Sequence, residues 1–142
     1  MMPGLTDQER IFVNKYEYQD YPSGPWNQNV GVYSGAGPVF KWQHNLPANW
    51  AYNSFAIGTA GHYKSGYIDF TPTNHVSAFT TTDLYGSWAP VKGASLVLGV
   101  RNLFDRDPPF TNQGDLFQSG GWDSRYANAA GRTYYVRGTY SF

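Results

Sequence analysis

The sequence contains no cysteine, although secreted domains of this size often depend on disulfide bonds. It also has little charge: 14% of its 142 residues are charged, against about 25% in a typical soluble domain. Lysine plus arginine number ten, as do aspartate plus glutamate, so the formal net charge is zero. This balance excludes the basic field of a nucleic-acid-binding protein and the acidic block of a solvating tail.

Long apolar runs are missing as well. The longest, at 96–100, falls far short of the roughly 18 residues that a transmembrane helix needs. The first residues lack the basic and apolar regions of a signal peptide. We therefore expect either a cytosolic protein or a mature or truncated part of a longer one. The mean hydropathy of −0.51 would usually indicate a soluble protein. Strands of a membrane barrel are the exception, because every second residue in them can be polar.

Aromatic residues and glycine are abundant instead, with twelve Tyr, nine Phe, five Trp and sixteen Gly. The most informative stretch is 132–142, RTYYVRGTYSF, where apolar and polar residues alternate with the period of a strand. Tyr135 breaks the alternation. A terminal strand that presents aromatic residues on one face is typical of a barrel in the bacterial outer membrane, where that face meets lipid.

The whole pattern predicts an all-β fold, an antiparallel up-and-down meander of about six strands with almost no helix. The predicted strands are 9–18, 38–46, 50–64, 79–89, 94–104 and 132–142. One face is expected to be exposed and apolar, with Arg101 and Arg137 on the opposite face. The apolar face is predicted to carry Leu96, Leu98, Val100, Tyr134, Val136, Tyr140 and Phe142.

The predicted connections alternate in length. Segments 46–49 and 90–93 have the composition of tight turns, whereas 19–37, 65–77 and 105–131 are long. Outer-membrane barrels have short turns at one end and longer loops at the other. The sequence therefore predicts that all three long loops, including Trp26 and Trp122, project from one end of the sheet.

Three segments resemble the C-terminal end of TonB-dependent outer-membrane receptors. They are GVRNLFDRDPPF at 99–110, GRTYYVRGTYSF at 131–142 and, upstream, WAYNSFAIGTAGHYKSGY at 50–67. In that family the penultimate strand runs into an N-L-F-D motif, here Asn102 to Asp105, and a long loop leads to a last strand that closes on Phe. The resemblance implies that the chain supplies about the last six strands of a 22-stranded barrel.

The resemblance also implies a function and a location for the parent protein. It would take up a nutrient such as a siderophore or an oligosaccharide across the bacterial outer membrane, energised through TonB. Residues 1–142 would form the C-terminal part of the barrel, without the plug domain and the TonB box. The implied partners are outer-membrane lipid, the remaining strands and plug of the parent receptor, TonB through the missing N-terminal part, and the barrel assembly machinery. Six strands alone do not close a membrane barrel, which needs about eight.

Two sets of candidate site residues follow. The ligand-contact candidates lie in loops or on the polar face: Trp26, Arg101, Asp105, Arg106, Asp107, Trp122 and Arg137. The membrane-interface aromatics are Trp50, Trp88, Tyr140 and Phe142. Simpler roles stay open: Asp105 caps a turn where a strand ends, and the two arginines of the polar face pair with carboxylates such as Asp83.

The sequence contains no catalytic motif, and its three histidines match no zinc spacing. We therefore predict no enzyme activity, no cofactor and no metal site. The alternative function, from a different class, is a soluble β-sandwich module that binds carbohydrate through loop aromatics. In a sandwich the apolar face packs against a second sheet, whereas in a barrel fragment it stays exposed.

Overall fold

In a computed structural model of the chain, the structure describes residues 9–33, 37–112 and 120–141; Phe142 lies outside this range. The described residues form ten strands and no helix. The strands are β1 (Glu9–Phe12), β2 (Glu17–Tyr18), β3 (Asn27–Gln28), β4 (Trp42–Tyr52), β5 (Phe55–Lys64), β6 (Tyr67–Ile68), β7 (His75–Val76), β8 (Phe79–Val91), β9 (Ala94–Arg101) and β10 (Thr133–Tyr140). Accordingly, the described part of the chain offers no long apolar helix as a membrane span.

Six of the strands form one antiparallel sheet in the order β1-β4-β5-β8-β9-β10. Each strand of this sheet pairs with the next one along the chain, apart from the short ribbons β2–β3 and β6–β7 that lie within two connections. The predicted all-β meander of about six strands is therefore confirmed. The sheet is open, with β1 and β10 at its two edges.

The first tight turn lies further along the chain than predicted. Residues 46–49 belong to β4, and the chain reverses at Asn53 and Ser54, between the paired residues Tyr52 and Phe55. The prediction at 46–49 was wrong because it treated Pro47 as a turn residue. Strand β1 pairs with β4 only as far as Asn45, so β1 does not pair with β4 at Pro47. A residue that lacks an N–H is tolerated at such an edge position.

The second tight turn, predicted at 90–93, is centred on Lys92 and Gly93. Gly93 has φ of +86°, and a side chain there would contact the carbonyl oxygen of Ser141 at 2.5 Å. The Ser141 N–H donates to the Gly93 carbonyl at 2.8 Å, which ties the end of β10 to this turn. Strands β8 and β9 also lose their regular register between Trp88 and Val91.

Other strand bounds differ by a few residues. The predicted strand 9–18 is divided into β1 and β2, because residues 13–16 leave the main sheet. The predicted strand 94–104 ends at Arg101, since Asn102 takes φ of +51° and turns the chain away.

All three long connections leave the same end of the six-stranded sheet. They join β1 to β4, β5 to β8, and β9 to β10, as the end pairs Phe12–Trp42, Lys64–Phe79 and Arg101–Thr133 show. Trp26 lies in the first connection and Trp122 in the third. The predicted clustering of the long loops at one end is confirmed.

One face of the sheet is apolar; we call it the outer face and the opposite face the inner face. Cross-strand partners share a face, so Val136, Leu98, Gly86, Ile57 and Trp50 form one row across β10, β9, β8, β5 and β4. Val136 is 70% exposed and Leu98 53% exposed. Leu96, Tyr134 and Tyr140 are exposed on the same face, as predicted.

Val100 departs from the predicted exposure. It lies on the outer face opposite Tyr134 and Leu84, yet it is only 9% exposed. Phe142, predicted for the same face, lies outside the described residues.

Apart from Val100, the buried apolar residues of the described chain lie in the long connections and not in the six-stranded sheet. Tyr67, Val76, Tyr126 and Ala127 form a buried apolar cluster. The half-buried side chains of Tyr33, Phe40 and Phe79 pack against it. The three long connections therefore fold against one another as a compact unit, which we call the loop head: residues 13–33, 37–41, 65–78, 102–112 and 120–132.

Candidate functional site

Backbone hydrogen bonds join the first two connections of the loop head. Tyr33 donates its N–H to the carbonyl of Ile68 at 2.7 Å, and Ile68 donates to the carbonyl of Gly31 at 2.8 Å. Because these bonds satisfy backbone groups away from the main sheet, the two connections hold a fixed relative position.

The carboxylate of Asp69 joins the second and third connections. It is buried, and it accepts hydrogen bonds from Thr111 Oγ1 at 2.7 Å and from the Asn112 N–H at 2.6 Å. It also accepts from the Phe70 N–H and from Asn74 Nδ2, each at 2.8 Å. Burial raises the pKa of Asp69, but these hydrogen bonds outweigh it and leave the pKa below its ordinary value.

Tyr126 fixes the third connection over the end of β5. Its hydroxyl lies 2.9 Å from the carbonyl oxygen of Ser77 and 3.1 Å from that of Ser65. Lys64 Nζ donates in turn to the Tyr126 carbonyl at 2.8 Å. Burial raises the pKa of Tyr126 above its ordinary value, so the phenol stays protonated and can donate.

An ion pair between the buried carboxylate of Asp123 and the partly exposed Arg125 connects the third connection to the first. Asp123 is 1% exposed and accepts from Arg125 Nη2 at 3.0 Å and Arg125 Nε at 3.1 Å. Arg125 Nη2 also donates to the Tyr33 hydroxyl at 3.0 Å. Hydrogen bonds to Asp123 and Tyr33 raise the pKa of Arg125 above its ordinary value. The guanidinium therefore stays charged and links the third connection to the first.

Between the inner face of the sheet and the segment 124–131 lies a cavity of about 600 Å³. Its floor consists of side chains from β4, β5 and β8, and Arg101 and Thr133 lie at the end of the floor formed by β9 and β10. Its roof is the pinned segment of the third connection, from Ser124 to Gly131. Polar residues predominate on the floor: Gln43, Asn45, His62, Lys64, Thr81 and Asp83.

His62 lies at the centre of that floor. Its Nδ1 is 2.9 Å from Asn45 Oδ1, and its Nε2 is 3.4 Å from Asp83 Oδ2. The other carboxylate oxygen of Asp83 accepts a hydrogen bond from the Asn102 N–H at 3.0 Å. The three side chains thus bridge β4, β5 and β8 and connect the floor to the start of the third connection.

The N-L-F-D motif forms the turn in which β9 ends. Asp105 donates its N–H to the Asn102 carbonyl at 2.9 Å, and both residues have positive φ. The Asn102 amide contacts both backbone groups of Arg106 at 2.9 Å. Asp105 Oδ1 accepts from the Arg132 N–H at 2.7 Å, which closes the base of the third connection. The simpler role for Asp105, at a strand end, matches this geometry.

The structure separates the predicted ligand-contact residues. Only Arg101 among them lines the cavity, where its guanidinium lies 5.4 Å from the Tyr135 ring centre. Trp26 is 65% exposed on the loop head, and Trp122 is half-buried with its ring folded back over Gly120.

The remaining candidates lie away from the cavity. Asp105, Arg106 and Asp107 are exposed in the turn after β9. Arg137 is exposed on the inner face, opposite Val97. Asp83 contacts His62 and the Asn102 N–H, and within the described residues it forms no ion pair with Arg101 or Arg137.

The predicted interface aromatics lie at the turn end of the sheet. Trp50 stacks on Tyr52 with ring centres 6.0 Å apart, and Trp88 stacks on Phe55 at 6.2 Å. Tyr140 is exposed at the same end, near the turn between β8 and β9.

The sequence reasoning missed the residues that build the cavity and its roof. Asn45, His62, Asp69 and Tyr126 belong to different connections or strands, and no local spacing relates them. Only His62 carried a usable signal: the alternation of β5 puts it on the face opposite Ile57, and therefore inside.

The described ranges contain no group of three or more potential metal-ligating side chains. Comparison with family models, with curated proteins and with solved structures finds no match to this chain.

Proposed function

We propose that this chain is the C-terminal part of the barrel of a TonB-dependent receptor, which takes up a nutrient such as a siderophore or an oligosaccharide across the bacterial outer membrane. The observation that carries the proposal is the exposed outer face, which is apolar and bounded by an aromatic row at each end.

The aromatic row near the loop head begins with Phe12 and Trp42, whose rings meet edge to face at 6.3 Å. It continues through His44, which stacks on Tyr63 at 4.9 Å. A membrane barrel has such a row at each interface, because aromatic rings prefer the headgroup level.

The second row, at the turn end, contains Trp50, Tyr52, Phe55 and Trp88. Trp42 and Tyr52 are the first and last residues of the 11-residue strand β4. At about 3.3 Å per residue they are about 33 Å apart along the strand, and a tilt of about 40° reduces this to about 25 Å. An outer-membrane barrel has an apolar band of about that height.

The inner face supports the same proposal through its polarity. Asn49 on β4 accepts a hydrogen bond from the Tyr85 hydroxyl on β8, and His62 on β5 contacts the side chains of Asn45 and Asp83 on the two neighbouring strands. Polar side chains that satisfy one another on one face, opposite an apolar face, are typical of a barrel wall with an aqueous interior.

The open edges of β1 and β10 imply further strands. Unpaired backbone groups in lipid cost several kcal/mol each, so a six-stranded wall needs partners at both edges. In the proposed parent receptor the missing strands close the barrel, the plug fills it, and TonB acts through the plug. Lipid and the barrel assembly machinery are the other proposed partners.

The soluble carbohydrate-binding sandwich gains less support. A sandwich would bury Leu98 and Val136 under a second sheet, yet both are exposed and the described residues place no second sheet over them. The short ribbons β2–β3 and β6–β7 belong to the loop head at one end of the sheet.

An insertion experiment tests the proposal. The chain is folded into vesicles that contain brominated lipid, and quenching of tryptophan fluorescence is measured for the parent chain and for two arginine variants. Leu98→Arg places a charge on the outer face, and we expect it to destabilise the inserted state by about 2–4 kcal/mol. Ser87→Arg, on the inner face of the adjacent strand, is the matched control and should insert normally.

A chain that folds in water and does not enter lipid would be the opposite result. A monodisperse monomer of about 15.9 kDa without detergent, with cooperative thermal unfolding and no quenching by brominated lipid, would refute the membrane proposal and favour the soluble module.

A further inference from the structure

The cavity beneath the third connection has a defined charge and a defined hydrogen-bonding character. We propose that it binds a small, hydroxyl-rich carboxylate, a sugar acid, whose carboxylate is held by Arg101. The inference rests on the proposed function in one respect: this chain must fold as a sheet with its inner face accessible.

The cationic side chains of the cavity are not equivalent. Lys64, Arg101 and Arg125 all line it. Lys64 donates to the Tyr126 carbonyl, and Arg125 is paired with Asp123. Among the described lining residues, Arg101 is therefore the cation that the loop head does not use to hold its own segments.

The carboxylate of the cavity floor is already engaged. Asp83 is 3.4 Å from His62 and accepts the Asn102 N–H at 3.0 Å. A cationic ligand would have to compete for Asp83 and approach Arg101 and Lys64 at the same time. The charge of the cavity thus favours an anion.

Arg101 is positioned for such a contact before a ligand arrives. Its guanidinium lies 5.4 Å from the centre of the Tyr135 ring, and that ring rests on Gly99 of the neighbouring strand. A guanidinium that packs against an aromatic ring keeps its positive charge, and its N–H donors stay available along the edge of the guanidinium plane. Two parallel N–H groups match the two oxygens of a carboxylate, and pre-positioning reduces the entropy cost of binding.

The rest of the lining matches hydroxyl groups better than an apolar molecule. Gln43, Asn45 and Asn128 carry amides, and Thr81 and Thr133 carry hydroxyls. Amides and hydroxyls both donate and accept, as each sugar hydroxyl does. A volume of about 600 Å³ lies within the range of small-molecule sites. The cavity therefore suits a sugar acid of one or two rings.

The test measures binding of glucuronic acid to the folded chain in detergent micelles by isothermal titration calorimetry, with glucose and acetate as probes. We expect saturable binding of glucuronate, at least about tenfold tighter than that of glucose or acetate. Arg101→Gln should weaken glucuronate binding by about tenfold or more, because a charged hydrogen bond is lost. Arg137→Gln is the matched control, since Arg137 is an exposed arginine of the inner face outside the cavity, and it should change binding less than twofold.

Four outcomes would overturn the inference: no saturable binding of glucuronate, equal binding of glucose, equal binding of acetate, or equal effects of the two arginine variants. Circular dichroism of each variant confirms that the sheet is folded. Failure here differs from failure of the proposed function. A chain that inserts into vesicles without binding glucuronate refutes the sugar-acid site alone, whereas a soluble monomer that binds glucuronate refutes only the membrane proposal.

Discussion

The ring of Tyr135 lies directly over Gly99 on the neighbouring strand. The two residues are cross-strand partners, and a Cβ atom at Gly99 would collide with Tyr135 Cζ. Tyr135 is the residue that breaks the apolar–polar alternation of the last strand. Its aromatic ring belongs to the inner face because it covers a glycine and holds the guanidinium of Arg101.

Gly99→Ala tests this contact. The added methyl group collides with the Tyr135 ring, so we expect a loss of about 1–3 kcal/mol in the free energy of unfolding. Gly86→Ala is the matched control, because its Cβ would meet its nearest neighbour at 3.9 Å. Urea unfolding in detergent, followed by tryptophan fluorescence, measures both variants. Equal stabilities would show that the ring moves aside without cost.

Asp69 makes the loop head sensitive to acid. Its pKa in the folded chain is lowered, so its stabilising contribution is complete above the ordinary carboxyl pKa of about 3.9. The contribution is lost as the pH falls through the lowered value. We expect the amide protons of Phe70 and Asn112, which donate to Asp69, to lose protection from hydrogen exchange below about pH 4.

Asp69→Asn should produce the same loss of protection at neutral pH, by about 1–3 kcal/mol, because one acceptor oxygen is replaced by a donor. Asp107→Asn, an exposed carboxylate, serves as the control and should leave the exchange rates unchanged. Unchanged protection in Asp69→Asn would show that Asp69 does not hold the second and third connections together.

Tyr126→Phe removes the hydroxyl that lies near the carbonyls of Ser65 and Ser77. Leaving buried acceptors without a donor should cost about 1–3 kcal/mol and loosen the third connection over β5. Limited proteolysis in detergent should then cleave the segment 120–131 faster than in the parent chain. Tyr134→Phe, at an exposed tyrosine of β10, is the control. Identical cleavage rates for both variants would argue against this role of the hydroxyl.

The turn between β4 and β5 depends on Asn53, which has φ of +51°. Asn53→Val should cost about 1–2 kcal/mol, since a β-branched residue is strained in the left-handed region. Asn53→Gly should be neutral or slightly stabilising, because glycine adopts this conformation freely. Thermal unfolding of the two variants compares them directly. A valine variant as stable as the glycine variant would contradict the assigned turn.

The sequence predicts the sheet well because the signals for its strands and tight turns are local in the chain. Alternation in 132–142 and the tight turn near Gly93 are readable along the chain, and they account for the meander. The turn at Asn53 was missed because Pro47 carries a stronger turn signal. A proline is acceptable within β4 because β1 pairs with β4 only as far as Asn45.

The candidate site is less readable because it depends on contacts between distant residues. Arg101 was found from the polar face of its strand, but its cavity needs a roof that Tyr126 pins from 25 residues further along the chain. Asp69 and Thr111 meet across a separation of 42 residues. No periodicity or motif in a single sequence encodes such a meeting.

Because most of the buried apolar residues lie in the loop head, the stability of the loop head and that of the sheet depend on different surroundings. The loop head excludes water from its own cluster around Tyr67 and Tyr126, as a small soluble domain does. The apolar residues on the outer face of the sheet are exposed, so their contribution to stability depends on the medium around them. Salts such as sulfate, which strengthen apolar burial in water, should therefore stabilise the loop head. If the outer face lies in lipid as proposed, a change of lipid chain length should alter the stability of the sheet and leave that of the loop head unchanged.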